Sequence, residues 1–407
     1  MMKAPELLCP AGDLTRLKCA VDFGADAVYL AGREFGMRAG SANFSAQEMR
    51  DGIEYAHKNG VSVHVTCNIT PHNGEVDRIA EFAKSAAEAG ADAFIVGDLG
   101  AIDAVREGAP NAVIHASVQA GVTNYRTACA LYNMGVKRVV LARELSIDEI
   151  AEIRAKTPSD LEIETFVHGA MCVSYSGRCL LSRYMTGRDA NHGDCAQSCR
   201  WSYSLVESNR PGQYYDITET DKGTYILNAD DLCMAEHIAD LARVGVCSLK
   251  IEGRAKSHYY VAVTTNAYRG ALDAFAADNG APCPEWVMSE LNKISHRNYS
   301  TGFFYGRPDD AVTYKSAGYI RDYSVAAVVE DYRDGCIVAS LKNKFFSGTV
   351  LDCLEPHSAP FDVPTDVLLD ENKQPIEMAN KPTMTIMIPF ERSVTPGSLL
   401  RMAGGQN

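Results

Sequence analysis

The sequence predicts an α/β fold: a parallel (β/α) barrel of the TIM type followed by a small C-terminal β-barrel domain. Three observations carry this. First, a frame of helix end, glycine and short apolar strand recurs: Phe23-Gly24-Ala25-Asp26-Ala27-Val28-Tyr29-Leu30, Ala89-Gly90-Ala91-Asp92-Ala93-Phe94-Ile95-Val96 and Met134-Gly135-Val136-Lys137-Arg138-Val139-Val140-Leu141. Asn59-Gly60-Val61 and Val244-Gly245-Val246 fit the same frame. A glycine in the left-handed conformation closes a helix, and a buried parallel strand follows. Second, Ser45-Ala46-Gln47-Glu48 and Ser146-Ile147-Asp148-Glu149 match the capping box that opens a helix. Third, no G-x-G-x-x-G follows an early strand, which favours a barrel over an open dinucleotide-binding sheet.

In order, the candidate strands are Glu6–Cys9, Ala27–Ala31, Val61–Cys67, Ala93–Val96, Val113–Val118, Arg138–Ala142, Glu162–Val167, Tyr225–Leu227 and Ser248–Ile251. That is one more than an eight-stranded barrel needs, so one of them is expected to be peripheral. The alternation of strand and helix runs to about residue 275. Residues 1–281 are therefore read as the barrel, with a cysteine-rich insertion at about 168–224. Pro282, Pro284 and the stretch His296–Pro308 mark 282–308 as a linker. Residues 309–407 lose helical periodicity and show short β-rich runs: Val325–Glu330, Cys336–Leu341, Thr349–Leu354, Val367–Leu369, Thr383–Ile388 and Ser398–Met402. Asp334-Gly335 is a hairpin turn between two of them.

Composition bounds the function. The chain has 407 residues, 46% hydrophobic and 22% charged, enough for a large core. It contains no apolar run of transmembrane length. Met1-Met2-Lys3-Ala4-Pro5-Glu6 lacks the apolar core of a signal peptide, so a cytoplasmic protein is expected. The net charge of −13 means that any nucleic-acid partner must be met by a local cationic surface. Of the 13 cysteines, Cys19, Cys129, Cys247, Cys283, Cys336 and Cys353 are scattered and read as small buried apolar residues. Cys9 and Cys233 read as core thiols, with ligation as the alternative.

The chemistry concentrates after the Glu162–Val167 strand. His168-Gly169-Ala170-Met171-Cys172 leads to Cys179, then to Cys195 and Cys199, a C-x6-C-x15-C-x3-C spacing. Four cysteines in 28 residues at a strand end point to metal ligation. Structural zinc sites show paired knuckles, and only the last pair here is close, whereas an iron–sulfur cluster accepts ligands from several loops. A cluster is the expectation; zinc, or no metal, remain the alternatives.

In a (β/α) barrel the reacting groups gather at the C-terminal strand ends. Asn68, Asp98, Gln119, Arg143, Glu144, Asn228, Asp230, Glu252 and Arg254 fall there. His168 is a candidate catalytic imidazole or a core histidine; Glu252 and Arg254 are candidate catalytic groups or a rim ion pair. Lys250 alternates with apolar neighbours and is expected inside the barrel, where a cation needs a partner; Glu252 points the same way. Arg183, Arg188 and Arg200 outnumber Asp189 and Asp194 in the cysteine segment. Tyr175, Tyr184, Trp201 and Tyr203 lie nearby and suit base stacking, or else pack in a core.

At these motifs the chain resembles peptidase family U32. The resemblance rests on Pro5–Gly12, Gly24–Tyr29, Arg143–Ser146, Phe166–Cys172, the Ser176–Leu181 run and Ser248–Arg254, and it spans most of the chain. The sequence has no H-E-x-x-H zinc site and no G-x-S-x-G elbow to support proteolysis. The resemblance implies prephenate-dependent hydroxylation at carbon 5 of a tRNA wobble uridine. Related branches hydroxylate a ribosomal RNA cytidine or a quinone precursor. It further implies a 4Fe-4S cluster on Cys172, Cys179, Cys195 and Cys199. The quinone branch lacks the last close pair and uses a later cysteine, a place Cys233 would fill here; the intact Cys195–Cys199 pair favours the RNA branch. Arg143, Lys250 and Arg254 are the candidate cations for prephenate, a dicarboxylate. Gln119 and Tyr175 are further candidates for substrate binding. A collagenase-like protease and a non-catalytic iron–sulfur RNA-binding protein are the rival readings.

Overall fold

In a computed structural model the described residues are 2–37, 42–172, 174–175, 178–201, 230–306, 320 and 322–404, with the backbone of 219–220 and 223–224. The strands β1 (Glu6–Pro10), β2 (Ala27–Ala31), β3 (Ser62–Cys67), β4 (Ala93–Val96), β5 (Ile114–Ala116), β6 (Arg138–Val140) and β7 (Glu162–Ala170) pair in sequence order, all parallel. After them come β8 (Asp231–Cys233) and β9 (Ser248–Ile251). β9 pairs in parallel with both β7 and β1 and closes an eight-stranded barrel. Eight of the nine expected strands are these barrel strands; Tyr225–Leu227 lies outside the described residues. β8 is an addition that pairs antiparallel to the outer half of β7.

Local chemistry explains the connections. Helices α1 (Leu14–Asp22), α2 (Ala46–Lys58), α3 (Asn73–Glu88), α4 (Leu99–Gly108), α5 (Tyr125–Asn133) and α6 (Ile147–Ala155) separate the first seven strands. Both predicted capping boxes form, at Ser45 with Glu48 and at Ser146 with Glu149. The recurrent glycines Gly24, Gly60, Gly90, Gly135 and Gly245 all take positive φ, the conformation that ends a helix without a Cβ clash. Asp98 is used structurally: its carboxylate accepts from the first amides of α4.

Alternation along the strands sorts side chains between two environments. Leu7, Cys9, Val28 and Leu30 join the large core between barrel and helices, whereas Leu8, Ala27, Tyr29 and Ile95 form a separate small cluster in the lumen. Of the scattered cysteines, Cys353 is buried; Cys19, Cys129, Cys247, Cys283 and Cys336 are only partly so.

α7 (Leu181–Thr186) lies in the cysteine segment, and α8 (Ile238–Arg243) precedes β9. The long α9 (His258–Ala277) then packs against α1 and β1. Within 282–308 the chain forms α10 (Glu285–Leu291), whose Val287 and Leu291 enter the barrel's core. The stretch read as a linker thus carries packed structure, because its apolar residues recur at helical spacing between the prolines. The C-terminal part is a seven-stranded antiparallel sheet curled into a half-barrel over its own core. Its hairpin turns at Asp334-Gly335, both at positive φ, as the sequence predicts. A buried charge cluster docks it: Arg401 binds Glu290 at 2.6 Å and Asp352 at 2.6 Å, and Lys293 binds Glu290 at 2.7 Å. Among the described residues no helix is long and apolar enough to cross a membrane.

Candidate functional site

The C-terminal ends of the strands surround two adjoining cavities. The larger, about 320 Å³, lies under the cysteine segment, and all four of Cys172, Cys179, Cys195 and Cys199 line it. The smaller, about 80 Å³, is the barrel mouth itself, lined by Gln119, Arg143, Lys250, Glu252 and Arg254 among others. Met37, Val118, Gln119 and Arg143 border both.

The cysteine segment is tied to the barrel by polar contacts that its sequence supplies. Arg178 Nε donates to the carbonyl of Gln119 at 2.9 Å. Asn191 clasps Cys179, accepting from its amide at 3.1 Å and donating to its carbonyl at 3.2 Å. His192 reaches Glu75 on α3 at 3.2 Å. The Gln197 amide donates to Cys195 Sγ at 3.4 Å, the kind of contact that settles a thiolate. Burial pushes the Cys199 thiol up; Arg200 opposes this, and the charges of Cys172, Cys195 and Cys179 add to it, so the four sulfurs act on one another. Cys233 is elsewhere, buried beside Tyr268, with burial pushing it up to about 11. Among the described residues no three His, Cys, Asp or Glu side chains converge closely enough to hold a single metal ion. The four thiols surround a space.

Arg143 connects the two cavities. Its guanidinium lies 3.8 Å from the Phe166 ring centroid and donates to the Ala170 carbonyl at 2.9 Å. Glu252 Oε2 lies 3.5 Å from the Tyr29 hydroxyl. Arg254 is buried at the rim. Asn68 also lines the mouth, where its side chain accepts from the Met37 amide at 3.0 Å.

Lys250 does point into the barrel, and its partner is Glu164 at 2.8 Å, both fully buried. Burial works to raise the Glu164 carboxyl, but Lys250 and Arg138 outweigh it and hold the group below its ordinary value. Arg138 in turn binds Glu6 at 2.6 Å and Glu162 at 2.7 Å. His64 and His115 stand edge to face above this network, 4.8 Å apart. Sequence reasoning missed Glu164, Arg138, His64 and His115. For the two histidines the signal was available: His64 lies between Val63 and Val65 and His115 between Ile114 and Ala116, the pattern that identified Lys250, whereas Arg138 opens its strand after Lys137 and Glu164 is followed by Thr165.

His168 is placed differently from a cavity residue. The pairing of β9 with β7 shifts by one residue between Lys250 and Ile251. That bulge turns His168 away from the lumen. It is 1% exposed among Tyr260, Tyr268 and Tyr299. Burial lowers its pKa to about 3, so it is neutral at pH 7. Tyr175 is 59% exposed and borders neither cavity.

Comparison with known proteins agrees with this layout. Residues 12–313 match the model of peptidase family U32, and residues 321–401 match that family's C-terminal domain. The chain is 36% identical over 404 residues to tRNA hydroxylation protein P1 of Bacillus subtilis, spanning 98% of this chain and 95% of that one. It is 38% identical over 397 residues to tRNA hydroxylation protein P of Escherichia coli, spanning 87% of each. It is 33% identical over 347 residues to a 23S rRNA 5-hydroxycytidine synthase of Escherichia coli, spanning 83% of this chain and 51% of that one. With the barrel and the C-terminal sheet both matched, the chain belongs to peptidase family U32.

Proposed function

We propose that this chain is an RNA hydroxylase that places a hydroxyl on carbon 5 of a tRNA wobble uridine. The observation that carries the reading is the gathering of four thiols around one cavity at the barrel mouth, beside Arg143. Relatives similar over most of this chain carry names for tRNA hydroxylation. Such a substrate places its work in the cytoplasm.

The donor set fits an iron–sulfur cluster. Four soft thiolates from one segment, all lining a cavity of about 320 Å³, leave room between them for a multi-iron cluster. Cys172, Cys179, Cys195 and Cys199 are the proposed ligands of a 4Fe-4S cluster, and Cys233 is not. Such a cluster supplies one-electron redox chemistry when bound.

The chain's own residues do the rest. A pyrimidine must leave its stack to expose carbon 5. Arg143 and Arg254, both at the mouth, are the proposed grips for the carboxylates of prephenate, the proposed co-substrate and oxygen donor. Lys250 lines the floor of the mouth with its charge answered by Glu164. Glu252 and Gln119, both on the lining of the mouth, offer hydrogen bonds to the base edge.

The second reading, hydroxylation of a ribosomal RNA cytidine, is favoured by the likeness to the 5-hydroxycytidine synthase. Mass spectrometry of tRNA and ribosomal RNA from a deletion strain separates the two. Loss of 16 mass units from a tRNA uridine, restored by the wild type but not by Cys199→Ala, is expected. A loss confined to ribosomal RNA would favour the second reading. An unchanged RNA with casein or collagen cleaved by the pure protein would replace both with proteolysis. RNA binding with no mass change in any RNA would leave a non-catalytic binding protein.

A further inference from the structure

A third cavity, about 490 Å³, opens in the seam between the barrel and the C-terminal domain. Ala170, Gln197, Arg200 and Ala255 border both it and the cysteine cavity, so the two adjoin. Its far wall is Tyr323, the first residue of the C-terminal sheet. Lys293, a member of the buried docking cluster, lies 5.2 Å from the Tyr323 ring centroid, and its carbonyl accepts from the Tyr259 hydroxyl at 3.1 Å. Domain docking thus fixes the width of the cleft.

We propose that this cleft takes the nucleotide adjoining the reacting one in the RNA, a proposal that rests on RNA being the substrate. A base inserted in the cysteine cavity stays covalently joined to its neighbours. Their phosphates must leave by an adjoining path, and this cleft is one. Its volume suits a nucleotide. Arg200 stands on the shared border, and Lys256 lies 5.2 Å from the Tyr260 ring centroid on the same wall. Ser257 caps the twenty-residue helix α9, whose first turn lines the cleft and adds amide dipoles favourable to phosphate. Tyr259 and Tyr323 are half-buried rings on which a base can stack. Among the described residues of the lining, the one acidic side chain, Glu252, also lines the barrel mouth. In a chain of net charge −13, cations and rings brought together at one seam are what a single strand of RNA requires.

The test uses the full-length, anaerobically purified protein and a fluorescein-labelled pyrimidine heptanucleotide RNA, read by anisotropy over a salt series. Tyr323→Ala is expected to weaken binding about tenfold, the scale of one stacked base. Lys256→Ala is expected to lower the salt slope by about 0.7, the share of one phosphate contact on a single strand. Tyr323→Phe keeps the ring and should bind like the wild type. If wild type binds and both alanine variants bind equally well at every salt, the cleft proposal falls and the RNA reading stands. If Tyr323→Phe loses as much as Tyr323→Ala, stacking is not the contact and the proposal also falls. If the variants lose affinity for malonate, a dicarboxylate probe, while keeping that for RNA, the cleft belongs to the small acid. If wild type binds no RNA, the RNA reading fails first.

Discussion

The two ends of the barrel use charge in opposite ways. Toward the N-terminal strand ends, Arg138, Glu6, Glu162 and Glu164 answer one another at 2.6 to 3.1 Å, and Glu164 also holds Lys250 at 2.8 Å where that side chain reaches the floor of the mouth. At the C-terminal mouth, Arg143, Glu252 and Arg254 surround a space that opens into the cysteine cavity. The lesson is that a polar lumen is not by itself a site. Mutually neutralised charges fix a fold; charges arranged around a cavity meet a substrate. The same contrast runs along β7: His168 faces outward, sealed among tyrosines, while Glu164 faces in.

The sharpest way to break this contrast is at the cysteine cavity. Cys172→Ala or Cys199→Ala should abolish RNA hydroxylation, read by nucleoside mass spectrometry, while leaving the urea midpoint of the apoprotein close to wild type. The opposite end should show the reverse. Glu164→Ala strands Lys250 in the lumen, while Arg138 keeps Glu6 and Glu162, and should cost about 4 kcal/mol of stability in urea denaturation. The docking cluster comes next: Arg401→Ala leaves Glu290 and Asp352 with Lys293 as their one remaining cation among the described residues and should cost about 3 kcal/mol, with the C-terminal sheet more readily cut by protease.

His168 gives a smaller, pH-dependent effect with a definite sign. Its folded pKa, about 3, lies below the ordinary 6.5, so the unfolded chain binds the proton first. Its contribution is therefore complete above pH 6.5 and is lost as pH falls from there toward 3, by about 1.4 kcal/mol per pH unit. His168→Phe should flatten that part of the stability profile. His64 and His115, also pushed down by burial, would keep a residual slope. Activity of His168→Phe should stay within about twofold of wild type, since it touches no reacting atom. A large loss of kcat would return His168 to the catalytic list. The smallest effect is expected at Tyr175: the Ala variant, at an exposed position outside both cavities, should change kcat/KM by no more than about twofold.

Much of this architecture was legible in the sequence because its signals are local. A glycine at a helix end and a serine with glutamate three residues on report their own neighbourhoods, and they located the barrel strands and helix starts. The four cysteines were legible as a set because they share one loop. What failed to show was set at long range. The bulge that turns His168 outward depends on how β9 registers against β7. The sequence showed that Lys250 needs a partner but not which: Glu164 lies 86 positions away, on the neighbouring strand β7. The half-barrel's docking through Glu290 and Arg401, 111 positions apart, has no local signature at all.

The central claim is that the four thiols of one loop, and not Cys233, hold an iron–sulfur cluster. The direct measurement is iron and sulfide content with a visible spectrum after anaerobic purification, for wild type, Cys172→Ala, Cys199→Ala and Cys233→Ala. The account predicts about four iron and four sulfide per chain in wild type and in Cys233→Ala, and neither in the other two. Zinc in place of iron, or a cluster lost from Cys233→Ala and kept in Cys199→Ala, would contradict it.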